Sequence, residues 1–186
     1  MADGWRPLAT SVIPHGIRPW PRAVAVQPKA GCPLKIVVLG RINGAKGEAL
    51  LAQLIPLLDE RIELHLLGGG KAAERFFGCS GVHIVLDYDH AGLPEMLTRI
   101  APDAALLPVT VSETYSYTLS ELWSLAIPPI ATRLGALAER IADGRTGLLL
   151  PPEAAPMARL LNQLADDRRP LESIRAELRE HPVRTI

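Results

Sequence analysis

Apolar residues along this chain fall into short unbroken runs separated by amphipathic stretches. Lys35-Ile36-Val37-Val38-Leu39 is the first such run, closed by Gly40, and reads as a strand buried on both faces. Glu48–Leu58 follows with apolar residues at helical spacing. The alternation continues with a strand over 62–67 ending in Gly68-Gly69-Gly70, a short helix over 71–77 and a strand over 82–86. A helix over 93–100 comes next, with Pro94 tolerated in its first turn, then a strand over 104–109 and a helix over 117–125. Short strands at 129–131 and 148–150 flank a helix over 136–142 and a turn at Asp143-Gly144, and one or two helices close the chain over 153–180. Strands alternating with helices predict an α/β fold, a Rossmann-like parallel sheet of about six strands with helices on both faces.

Residues 1–32 break this pattern. They show no sustained period and carry Pro7, Pro14, Pro19, Pro21 and Pro28, with Pro33 just beyond, so they read as a linker or extended arm. The domain proper is expected over 33–186. In a parallel sheet of this kind ligands bind at the carboxyl ends of the strands. Chemistry is therefore expected in the loops 40–47, 68–71, 87–92, 109–116 and 132–135.

Composition narrows the function classes. The 186 residues carry 20 basic and 20 acidic side chains, and a zero net charge gives no basic excess for a nucleic acid or a polybasic membrane patch. Aromatic residues make up only 4%, which gives little support to base-stacking surfaces. Cys32 and Cys79 are too few for a disulfide framework and lack metal-site spacing. The N-terminus has no basic start followed by an apolar core, and no apolar run approaches the ~20 residues of a membrane helix. A soluble, cytoplasmic protein is expected.

Two constellations carry chemistry. Gly40-Arg41-Ile42-Asn43-Gly44-Ala45-Lys46-Gly47 sets two cations and three glycines between a strand and a helix. Close backbone approach, helix amides and positive charge together suit a diphosphate. The pattern is neither G-x-G-x-x-G nor a Walker loop, and alone it equally fits a common basic βα turn. The second is Ser112-Glu113-Thr114-Tyr115-Ser116-Tyr117-Thr118-Leu119-Ser120-Glu121. Glu113 lies in the loop after the fourth strand and Glu121 about one turn into the next helix. Carboxylates match vicinal hydroxyls of a ribose or hexose, and the amides between them favour an anion. Taken alone, this segment also fits a helix capped by Thr114 or Ser116, with Glu121 on its exposed face.

The ordered series resembles the retaining GT-B glycosyltransferases that carry an E-x7-E motif, the group 1 or family 4-like type. Glu113 and Glu121 are spaced as that motif requires. Val12-Ile13-Pro14-His15-Gly16 resembles the segment closing the family's acceptor domain, and Gly40-Arg41 with Lys46-Gly47 resembles its G-R…K-G element. Ile127-Pro128-Pro129-Ile130-Ala131, Gly135, Glu139-Arg140-Ile141, Asp143-Gly144 and Thr146-Gly147-Leu148 follow in the family's order. The resemblance covers residues 12–166. Two positions depart from it: Ala126 and Asp87 stand where the family often has glycine.

The resemblance implies one half of a GT-B fold, binding a nucleoside-diphosphate sugar without a metal or other cofactor. Arg41 and Lys46, beside Gly40, would neutralise the diphosphate and stabilise it as a leaving group. Glu113 would bind hydroxyls of the transferred sugar and Glu121 those of the ribose. The backbone of Tyr115, Ser116, Tyr117 and Thr118 would line the phosphates and sugar, and the loop around Leu86, Asp87 and Tyr88 would flank the base. The acceptor would be a carbohydrate or lipid-linked molecule, as in polysaccharide biosynthesis, with peripheral membrane contact open to the full-length enzyme. On this resemblance only the last segment of the acceptor-binding N-terminal domain is expected here, so this chain is expected to bind a donor without transferring it.

Two competitors remain open, a sugar-nucleotide epimerase of the same architecture and a non-catalytic nucleotide-sugar-binding module. A dinucleotide oxidoreductase lacks its glycine fingerprint, and a phosphoreceiver would want an acidic residue where Leu39-Gly40 stands. Asp87-Tyr88-Asp89 matches D-x-D, but such aspartates more often cap turns. His15, His65, His83, His90 and His181 show no metal-site spacing, and His65 and His83 read as core or edge residues of strands. Glu139-Arg140 reads as a solvated pair on a helix face.

Overall fold

The computed structural model describes residues 32–180. The linker assigned to the N-terminus, including the Val12–Gly16 segment, and His181 lie outside them. Six strands form one parallel sheet: β1 (Leu34–Leu39), β2 (Ile62–Leu67), β3 (Val82–Val85), β4 (Ala104–Leu107), β5 (Pro129–Thr132) and β6 (Leu148–Leu150). Their spatial order is β3-β2-β1-β4-β5-β6, and every pairing is parallel.

Alternation along each strand divides the core in two. Leu34, Ile36, Val38, Leu64 and Leu66 pack on one face against α1 (Glu48–Leu54) and α5 (Ala154–Asp166). Val37, Leu67, Ala105 and Leu107 face the other way, against α2 (Leu93–Ile100), α3 (Tyr117–Ser124), α4 (Gly135–Arg140) and α6 (Arg169–Glu180). Both faces are covered over most of the sheet, which is why β1 and β4 read as apolar runs, while Glu63, His65 and His83 break the pattern on β2 and β3.

Departures from the expected boundaries have local causes. The helix expected over 48–58 ends as α-helix at Leu54 and tightens to a 3-10 turn over Ile55–Leu57, because Pro56 has no N–H for the next helical bond. Residues 71–77 were expected as a short α-helix; Lys71–Phe76 form a 3-10 segment between Gly70 and Gly78, which both have positive φ. β4 stops at Leu107, since Pro108 cannot donate to the ladder. Pro94 occupies the first turn of α2 as expected.

Ala126 adopts φ +53 beyond the end of α3, the left-handed conformation for which glycine is favoured. A buried Arg175 on α6 donates to the carbonyl oxygens of Pro102 (3.2 Å), Asp103 (2.6 Å) and Ala126 (3.3 Å). Burial, and next the neighbouring Arg179, pull its pKa down to about 10. No helix among the described residues is long and apolar enough to cross a membrane.

The order places the switch point between β1 and β4. From β1 the chain works outward to β3, then returns to β4 on the opposite side, so the loops after β1 and β4 lie side by side and line a crevice.

Candidate functional site

The crevice at the switch point is lined by Gly40, Arg41, Lys46, Glu113, Ser116 and Thr118, together with the ends of β1 and β4. Its empty volume, including the open mouth, is ≈ 360 Å³. Residues from the two separate sequence constellations thus meet in one place.

The first loop is organised internally. Asn43 accepts from the Lys46 amide through its side chain (2.9 Å) and from the Glu48 amide through its carbonyl oxygen (3.0 Å). The Gly47 amide turns back to Gly44 (3.4 Å). These three amides are therefore occupied within the loop. Arg41 reaches over Gly70, where an added Cβ would stand 2.9 Å from a guanidinium nitrogen. That contact puts the Gly68–Gly70 turn beside the first loop, as its place in the sequence implied.

Lys46 bridges to the second loop. Its ammonium group is paired with the Glu113 carboxylate across 67 positions of sequence. Lys46 is half-exposed and Glu113 mostly enclosed, and desolvation holds the lysine below its ordinary pKa. The backbone of Glu113 is fixed from below: its carbonyl oxygen accepts from the Ala136 amide at 2.9 Å. Gly135, at φ +47, lets α4 approach this closely, since a Cβ there would lie 2.7 Å from the Glu113 carbonyl oxygen.

The entry to α3 is unusual. Ser116 is the residue before the helix, at φ +67, and its side chain makes no capping hydrogen bond. Ser116 therefore does not play the capping part that the sequence allowed it, and the start of α3, through Ser116 and Thr118, lines the crevice. An anion is the natural partner for such a helix end.

What holds this turn is Arg140, which the sequence suggested was only half of a solvated pair. Its guanidinium donates to the carbonyl oxygens of Tyr115 (2.6 Å) and Ser116 (3.0 Å) and to Ser120 Oγ (2.7 Å). It also lies 4.1 Å from the centroid of the Tyr115 ring and 5.2 Å from that of Trp123. Burial lowers its pKa. The planar fork is what allows three acceptors to be met at once, so Arg140→Lys should break the clamp while keeping the charge. A loss of about 2 kcal/mol is expected from urea unfolding, the scale of one or two charge-assisted hydrogen bonds. Unfolding curves that superimpose on the parent's would refute the clamp.

Glu121 and the two tyrosines do not line the crevice. Glu121 Oε1 lies 2.8 Å from His90 Nε2, a partner supplied by the 3-10 turn His90–Gly92 after β3. Tyr115 is covered by Arg140, and Tyr117, stacked edge-on against it at 5.1 Å, is exposed. In the loop expected to flank a base, Leu86 is exposed, whereas Tyr88 folds back on Gly68, its pKa raised by burial and then by Glu121. Asp89 caps the 3-10 turn through the Ala91 amide (3.1 Å) and Asp87 accepts from the Tyr88 amide (3.0 Å), the turn-capping role expected for the D-x-D match.

Comparison with known proteins agrees with this fold. The model of the family described as glycosyl transferases group 1 matches residues 33–167. A D-inositol 3-phosphate glycosyltransferase of Arthrobacter sp. (strain FB24) is 30% identical over 145 residues, covering 71% of this chain and 34% of that protein. Among solved structures, sucrose-phosphate synthase from Thermosynechococcus elongatus superposes with a TM-score of 0.72 at 23% identity, over 90% of this chain and 46% of that one. Anabaena HepE, solved in complex with UDP-glucose, gives 0.67 at 16% identity, over 80% and 43%. The six-stranded sheet is thus that of a GT-B half-domain, and the chain spans about a third of the curated relative's length. Matched over most of its length by the family's model, and built around a cation-lined crevice at the switch point, the chain belongs to the group 1 glycosyl transferases.

Proposed function

We propose that this chain is the donor-binding domain of a retaining glycosyltransferase, and that the crevice takes the diphosphate of a nucleoside-diphosphate sugar. The observation that carries this reading is the convergence of Arg41, Lys46 and the uncapped end of α3 on one crevice at the sheet's switch point. The HepE relative holds UDP-glucose, which makes UDP the first nucleotide to test.

On this reading the diphosphate draws Lys46 away from Glu113, and the freed carboxylate accepts from hydroxyls of the sugar. When the bond between the anomeric carbon and the β-phosphate oxygen breaks, its electrons stay on the departing diphosphate. Arg41, Lys46 and the α3 amides stabilise that charge, without a metal. Glu121, steadied by His90, accepts from the ribose hydroxyls. The sugar passes with retention to a carbohydrate or lipid-linked acceptor held by a separate domain, so the present chain binds donor and does not transfer it.

Calorimetric titration with UDP, GDP and ADP tests the assignment. At least one is expected to bind with Kd below ~1 mM, a free energy of about −4 kcal/mol or better. An intact fold that binds none of the three at that concentration overturns it.

A further inference from the structure

A second group of side chains with metal-ligand chemistry lies on β2 and β3, toward the strand starts and away from the crevice. Glu63 and His65 are two residues apart on β2 and therefore share a face, and the parallel register sets His83 directly beside His65. The two imidazoles stack with centroids 4.6 Å apart and planes inclined by 18°. One ligating atom from each of the three residues lies within 4.8 Å of the others.

His65 is the informative member. Its Nε2 is buried and has no hydrogen-bond partner, the one such side-chain nitrogen or oxygen among the described residues. A buried polar atom left unsatisfied costs stability unless something occupies it. The nearest candidate, Glu63 Oε2, stands 3.5 Å away. That separation is close to the ~3.4 Å ligand–ligand edge of a tetrahedron with metal–ligand bonds of about 2.1 Å.

We propose that Glu63, His65 and His83 form a three-ligand site for a divalent transition-metal ion of the zinc class, with solvent completing the coordination. Two imidazoles and a carboxylate are a donor set suited to Zn²⁺ and Co²⁺ rather than to Mg²⁺ or Ca²⁺. His83 is exposed, so it has room to turn from the stacked position toward the ion. Lys35 is the resident competitor: its Nζ stands 4.0 Å from Glu63 Oε2 and donates to the Ile100 carbonyl oxygen at 3.3 Å. A bound ion ties edge strand β3 to β2, a structural role independent of the donor crevice.

The test is titration of the tag-free full chain with Co²⁺, followed by visible absorption. One equivalent is expected to produce the intense bands of tetrahedral cobalt, which Zn²⁺ then abolishes by displacement. His83→Gln, at an exposed position, should keep the far-ultraviolet circular dichroism of the parent. It should weaken binding at least ~100-fold, the upper range seen for loss of an outer-shell partner alone. Asp87→Asn/Asp89→Asn should leave the bands intact, and Lys35→Gln should tighten binding. Absence of the bands at saturating Co²⁺, or bands that survive in His83→Gln, overturns the site. UDP titration of His83→Gln reports separately on the crevice, so the two readings fail independently.

Discussion

UDP binding is expected to weaken by about 10² to 10⁴-fold when Arg41 and Lys46 are both replaced by alanine. Each cation would make a charge-assisted contact with the diphosphate, worth about 1.5–3 kcal/mol, and each 1.4 kcal/mol is a tenfold change. Two features hold the loss toward the middle of that range. Lys46 leaves Glu113 in order to bind, and a pair this exposed is worth only about 0–1 kcal/mol. Removing Lys46 also leaves the Glu113 carboxylate in the crevice, where it repels the diphosphate. Uridine, which carries no phosphate, should lose less than about threefold, because a ribose or base contact is indifferent to these charges. Calorimetry with both ligands at two salt concentrations decides the matter. Equal losses for UDP and uridine would remove the phosphate role from these residues.

Gly47→Ala is expected to cost at least about 4 kcal/mol of stability, through a backbone collision combined with a left-handed backbone. Gly47 has φ +82, and an added Cβ would stand 2.9 Å from the Pro108 carbonyl carbon and closer still to its oxygen. Neither partner is a flexible side-chain end. Pro108 follows β4 directly, and the two loops are already joined there: the Thr110 amide donates to the Ala45 carbonyl oxygen (2.9 Å) and Thr110 Oγ1 to that of Gly44 (2.8 Å). The alanine must therefore push apart the two loops that frame the crevice. Gly44→Ala is the matched control, since nothing lies within 4 Å of its added Cβ, and it should change stability by no more than about 0.5 kcal/mol. Urea unfolding of the pair measures the difference. Similar midpoints would show that the loops can separate freely.

Much of the architecture was legible because it is local. A buried parallel strand announces itself as an unbroken apolar run, as over 36–39, while β2 alternates apolar residues with Glu63 and His65, and glycine follows both. The positions of the two chemical loops followed from the same alternation. What escaped depends on contacts between distant residues. Arg140 looks like any helix-face cation until folding lays it against the Tyr115–Ser116 turn, 24 and 25 residues earlier. The partnership of His90 with Glu121 spans 31 positions, and that of Lys46 with Glu113 spans 67. His65 and His83 resemble strand residues in isolation, and only the parallel register sets them side by side. The two glutamates of the spaced pair face different neighbours, Lys46 and His90, which a spacing in sequence does not specify.

If the crevice holds a nucleotide as proposed, the pairing of Lys46 with Glu113 bears on how long that nucleotide stays. On the proposed reading the empty crevice never presents a bare ammonium or a bare carboxylate to be hydrated afresh; one partner is exchanged for another. When the spent nucleotide leaves, Glu113 is positioned to recapture the lysine, and that recapture favours departure. On that reading, a contact that weakens the hold on a nucleotide would also shorten its stay in the crevice.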